Sequence, residues 1–209
     1  MSLITTVKMG EVNNLSDARF AAGFDVEFIG FPLSDDHPRK VDPQDVKEMG
    51  EWIEGPYFLA ELLQESPPYI NELLKEIDAQ WLQVEQDYQY DLAEISGNVF
   101  QRIVPEQLSK EDAGIATMEK NFKKVEYFQL ELGNFEEAIW DDQNQVDFLA
   151  DLCATYNVFL DYPFKPANVH DIIEKVNPAG INIKGGDEVK PGYRDFDELI
   201  DLLEAIENE

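Results

Sequence analysis

Cysteine is almost missing from this chain: Cys153 is the only one in 209 residues. A disulfide framework and a cysteine-rich zinc module are both excluded. Histidine is nearly as scarce, and His37 and His170 have no spaced partner with which to hold a metal. Cations are few as well: 16 Lys and Arg stand against 44 Asp and Glu, for a net charge of −28. That field repels nucleic acid and anionic membranes, so neither is expected as a partner. No apolar run approaches the ~20 residues of a membrane span. The opening MSLITTVKMG has neither the basic stretch nor the apolar core of a secretory signal, so the expected compartment is the cytoplasm.

Aromatic residues make up 11% of the chain and hydrophobic residues 44%, which argues against disorder despite the charge. No Gly/Ser linker or low-complexity run divides it, and residues 1–209 are expected to form one domain. Short β-branched and aromatic runs alternate with amphipathic stretches from end to end. The predicted strands are 5–10, 26–31, 57–62, 81–85, 99–104, 127–132, 158–161 and 180–183. They mostly lack strict alternation, as strands buried on both faces should. Helices are predicted over 17–22 (opened by Ser16), 43–52 (Asp42-Pro43), 69–77 (Ser66-Pro67-Pro68) and 88–95. Others follow Ser109 or cover 143–156, 166–176 and 196–207. A cap oxygen or first-turn proline followed by acid is the chemistry of a helix N-terminus. Eight strand–helix pairs in this length predict an α/β fold, a single compact (β/α)8 TIM barrel. A doubly wound open sheet would need a glycine-rich first turn, and Gly10-Glu11-Val12-Asn13-Asn14 is not one.

Three segments resemble the phosphoribosylanthranilate isomerase family of tryptophan biosynthesis. VKMGEVNNLSDARFAAGFDVEFIGF follows the family's V-K-I-C-G-I-T-N-L-x-D-A…G-A-D-x-x-G-F. HPRKVDPQDV follows S-P-R-x-V-x-P-x-x-A. LDYPFKPANV…NPAGINIKGGDEVKPGYRD follows L-A-G-G-L-x-P-x-N-V…G-V-D-V-S-S-G-V-E-x-x-P-G-x-K-D. The resemblance implies the same barrel and an Amadori rearrangement, in which one group opens the ribose ring as an acid and another removes the C2 proton as a base.

Carried over position by position, the resemblance puts glycine in the base's place. The family's cysteine becomes Gly10, which accepts no proton, so Glu11 beside it is the candidate base if the strand ends there. The family's acid, at the end of strand 6, becomes Glu131. Of the phosphate-binding loops, the one after strand 6 reads Gly133-Asn134-Phe135 and the one after strand 7 Tyr162-Pro163, whose proline has no N–H to donate. The one after strand 8 reads Lys184-Gly185-Gly186, which becomes the candidate anion grip. Arg39 keeps the position that contacts the anthranilate half, where its planar fork suits a carboxylate. The implied ligand is a small molecule such as a phosphosugar, with no cofactor and no metal, and no long apolar patch from which to read an oligomer.

The strand ends themselves carry Glu11, Glu61, Glu85, Glu131 and Asp161, closed by Lys184. Five carboxylates around one mouth would repel an anionic substrate: each pair costs about 2 kcal/mol at ~8 Å and an effective dielectric of ~20. Two readings from different classes follow. One is an isomerase-like barrel with weak, altered or absent activity. The other is a non-catalytic binding barrel, or an acidic mouth that takes a divalent metal or a cationic ligand. Cys153, in an apolar helical stretch, is expected to be a structural thiol, and His37 to sit near the mouth.

Overall fold

The computed structural model describes residues 2–185, 187–190 and 193–208. Eight parallel strands close into a barrel in sequence order: β1 (Thr6–Gly10), β2 (Phe28–Pro32), β3 (Tyr57–Glu61), β4 (Trp81–Val84), β5 (Asn98–Ile103), β6 (Tyr127–Glu131), β7 (Val158–Asp161) and β8 (Gly180–Lys184). The closed ring excludes the open sheet, and all eight predicted strands are found within two residues of their expected ends. β9 (Asp187–Lys190) and β10 (Tyr193–Asp195) form an antiparallel pair after β8 that was not expected.

The helices are α1 (Leu15–Gly23), α2 (Pro43–Gly50), α3 (Pro67–Glu76), α4 (Ala113–Asn121), α5 (Gln143–Thr155), α6 (Val169–Val176) and α7 (Asp197–Glu204). The helix expected over 88–95 is instead a loop with one short 3-10 turn, Leu92–Glu94. Polar ties to the preceding unit hold it open: Gln64 bonds Asp87 and Gln89, and Asn71 bonds Glu94 O and Ser96 N. No helix of the described residues is long and apolar enough to cross a membrane.

Two helix starts differ from expectation. Asn14, not Ser16, caps α1 by accepting from Asp17 N. Asp112 caps α4, accepting from Gly114 N and Ile115 N with one oxygen and from Glu106 N and Gln107 N with the other. Burial pulls the Asp112 carboxyl up, but these four donors outweigh it and hold it below the ordinary carboxylate range. Asp112→Ala should therefore cost about 2 kcal/mol at pH 7 in urea unfolding. A depressed pKa contributes stability above the unfolded value and loses it as pH falls through the folded one. The cost should thus shrink toward pH 3, and a cost independent of pH would contradict this.

Side chains pointing into the barrel recur every second residue along each strand. At the N-terminal end they are aromatic: Phe28, Phe100 and Phe159 are almost fully buried, with Trp81 and Tyr127 packed against them. Phe28 meets Trp81 and Phe100 nearly edge-on at 4.9 and 5.2 Å between ring centroids, as aromatic quadrupoles prefer. Two residues further along the same strands the inward positions turn polar: Gln83, Arg102, Gln129, Asp161. The barrel is plugged with rings at one end and charged at the other.

Candidate functional site

The polar end opens into a cavity of about 100 Å³, lined by Glu11, His37, Glu61, Gln83, Glu85, Arg102, Gln129, Glu131, Asp161, Asn182 and Lys184, among others. All five strand-end carboxylates expected at the mouth converge on it.

Beneath the cavity lies Lys8, fully buried on β1. Its ammonium donates to Glu61 Oε1 at 2.6 Å, Gln129 Oε1 at 2.8 Å and Asn182 Oδ1 at 3.1 Å, which uses all three of its hydrogens. The other Glu61 oxygen accepts from Glu11 N at 2.9 Å. Two glycines make room for this carboxylate. A Cβ at position 30 would lie 2.3 Å from Glu61 Oε1, and one at position 10 would lie 3.0 Å from the same atom and 3.2 Å from Lys8 Nζ. A side chain at the place where the resemblance seats a cysteine would thus be pressed against this ion pair.

Strand β1 ends at Gly10, and Glu11 turns out of it with φ at +56°. That turn brings its carboxylate to the cavity wall, where Lys184 Nζ lies 2.8 Å from Oε1 and Arg39 Nη1 3.9 Å from Oε2. Burial raises the Glu11 carboxyl, but Lys184 and then Arg39 outweigh it and leave it below its ordinary range. Across the cavity Arg102 bridges two carboxylates. Its Nη1 donates to Glu85 Oε2 at 2.8 Å and its Nε to Glu131 Oε2 at 2.8 Å, and Nη2 also contacts Glu131. Glu85 is nevertheless raised, because burial exceeds the pull of Arg102.

Asp161 has no cation within ion-pair distance among the described residues. Its Oδ2 accepts from Gln129 Nε2 at 2.8 Å and Asn182 Nδ2 at 3.1 Å. Burial pushes it up to about 6, against the fields of Lys184 and Lys8. Gln83 is 6% exposed and lines the cavity, yet its Oε1 has no hydrogen-bond partner.

The remaining expected residues fall as follows. Arg39 stands at the rim, and its backbone N donates to His37 Nδ1. Gly185 packs on the buried Asp17 carboxylate so closely that a Cβ would lie 2.3 Å from Oδ2. Gly186 lies outside the described residues. After β7, Tyr162 is buried edge-on against Trp140 at 5.2 Å, so an aromatic wall follows this strand. Cys153 is half-buried, and burial pushes its thiol up to about 12, which leaves it no nucleophilic character at neutral pH. Among the described residues no group of three or more His, Cys, Asp or Glu is arranged to hold a metal ion.

Sequence reasoning missed Lys8, Gln83, Arg102, Gln129 and Asn182. The signal was present as a polar residue two positions after an inward aromatic, as in Trp81–Gln83 and Tyr127–Gln129.

Fold and site together define a (β/α)8 barrel with an ionisable cavity at the carboxyl ends of its strands, the face where barrels of this type bind ligands. Its likeness to known proteins is more particular. The chain is 25% identical over 213 residues to the N-(5'-phosphoribosyl)anthranilate isomerase of Aquifex aeolicus, and 22% identical over 206 residues to that of a Sulfurihydrogenibium species. Each alignment covers 97% of this chain and 98% of the relative. The structure of the phosphoribosylanthranilate isomerase from Thermotoga maritima superposes with a TM-score of 0.76 at 16% identity, covering 97% of this chain and 98% of that one. A phosphoribosylanthranilate isomerase in complex with reduced 1-(o-carboxyphenylamino)-1-deoxyribulose 5-phosphate gives 0.75, also at 16% identity and with the same coverage. No family model matches the chain. The resemblance carried by the three sequence segments therefore extends over nearly the whole length.

Proposed function

We propose that this protein is a diverged, cytosolic member of the phosphoribosylanthranilate isomerase family that keeps a small-molecule mouth and has lost the family's Amadori rearrangement. One observation carries the reading: position 10 has no side chain to act as the base, and the Glu61 carboxylate held by Lys8 stands 3.0 Å from where its Cβ would be. A base withdrawn from general base catalysis costs roughly 10²–10⁴ in rate.

The neighbouring carboxylates are poor substitutes. Glu11, held below its ordinary range by Lys184, is a weakened base. Glu131 gives an oxygen to Arg102 as an acceptor, whereas an acid must donate. Lys184, the cation of the anion grip read from the sequence, is taken by Glu11. The charge is also wrong for a substrate carrying both phosphate and carboxylate.

The test is turnover of N-(5'-phosphoribosyl)anthranilate by the purified protein, followed through anthranilate fluorescence. The expected rate equals that of the uncatalysed reaction. Turnover above it that disappears in Glu11→Gln would show that Glu11 serves as the base and would overturn the reading.

A further inference from the structure

Ion pairing around the mouth does not balance. Five carboxylates line the cavity, while the cations that meet them there are Lys184, Arg102 and the underlying Lys8. Arg102 is shared between Glu85 and Glu131, and among the described residues Asp161 has only amide partners. Among the described residues two negative charges are in excess, and Arg39 reaches the rim at 3.9 Å to offset part of that.

An acidic excess alone defines no ligand, but the cavity also holds unused acceptors. Gln83 Oε1 is buried without a partner, and an orphaned buried acceptor is unfavourable unless a donor reaches it. Among the described residues both donors to Asp161 fall on Oδ2, and none falls on Oδ1. Unused acceptors together with surplus negative charge call for a cationic N–H donor. Space limits what enters: about 100 Å³ takes an ammonium head of a few heavy atoms, and the open side of the mouth leaves the rest of a short chain in solvent. A metal ion is less well served, because no three acidic or histidine side chains among the described residues converge as ligands.

We propose that the mouth binds a small aliphatic ammonium or diammonium compound, its N–H groups taken by Gln83 Oε1 and the Asp161 carboxylate, with Glu85 and Glu131 balancing its charge. The proposal rests on the reading of this cavity as the ligand site of a barrel that has lost its former chemistry, and it names the ligand class of that site.

Calorimetric titration at pH 8 and low salt tests it with three four-carbon probes of different charge: 1,4-diaminobutane, 1,4-butanediol and succinate. Saturable heat is expected with the diamine alone, weakening as salt is added. Gln83→Leu should reduce diamine affinity at least tenfold with no loss of thermal stability, because it removes an unpaired polar atom. Asp161→Asn should weaken binding similarly, while Asp36→Asn on an exposed loop should not.

Lowering the pH through about 6 should also weaken binding as Asp161 takes a proton. The charged and titratable groups around Asp161 in this cavity are Lys8, Arg102, Lys184, Glu11, Glu61, Glu85, Glu131 and His37. Binding of the diol or succinate as strongly as the diamine would overturn the proposal, as would diamine binding untouched by both Gln83→Leu and Asp161→Asn. A diamine that fails to bind while phosphoribosylanthranilate is not turned over defeats this inference and leaves the loss of family chemistry standing. Turnover of phosphoribosylanthranilate defeats that reading itself.

Discussion

Lys8→Met is expected to destabilise the fold by about 3–5 kcal/mol, because it leaves the Glu61 carboxylate buried without its counter-ion. Gln129 and Asn182 each lose a donor at the same time, in a part of the barrel closed to water. For a domain of this size each kcal/mol lowers the melting temperature by roughly 2–4 °C, so a drop of about 10 °C should appear in calorimetry. The second half of the experiment isolates the pair. Lys8→Met combined with Glu61→Leu removes both charges, and the double variant should be more stable than Lys8→Met alone. Such non-additivity is what a direct ion pair produces. Additive losses would mean that Lys8 acts through packing only.

Arg102→Met should have the next largest effect, and its size should depend on pH. Arg102 is the guanidinium between Glu85 and Glu131, and its loss leaves two half-buried carboxylates facing each other. Burial already holds Glu85 above its ordinary value of 4.5, with Arg102 the main influence pulling it down. A group with a raised folded pKa is cheapest to bury below its unfolded value and loses stability as pH rises through the folded one. Removing Arg102 pushes Glu85 further up, so the variant should lose about 3 kcal/mol at pH 8 and clearly less at pH 5. Urea unfolding at the two pH values measures this. Equal losses at both would contradict the electrostatic role given to Arg102.

Strand positions were legible because parallel strands in a closed barrel are buried on both faces and read as short apolar runs. Ile29 and Leu82 show the pattern, both fully buried on the helix side of the ring. The missing fourth crossover helix was not legible, because Gln64 and Asn71 of the preceding unit hold its loop, a tertiary tie that no local pattern announces. The carboxylates of the mouth were legible from strand ends, since a barrel's active face is fixed by strand direction. Their partners were not. Lys8 looks like a surface lysine until the register places it inside the ring, level with Asn182 on β8. The meaning of Gly10 changed in the same way. In the sequence it is a missing base, whereas in the fold Gly10 and Gly30 are the space that Glu61 needs.

The most direct test is a calorimetric titration with reduced 1-(o-carboxyphenylamino)-1-deoxyribulose 5-phosphate, the compound bound in a phosphoribosylanthranilate isomerase of similar fold. A mouth with surplus negative charge and its Lys184 engaged by Glu11 should give no saturable heat with it at physiological salt. Saturable binding that is abolished by Lys184→Met would contradict the account and return the mouth to an anionic phosphosugar.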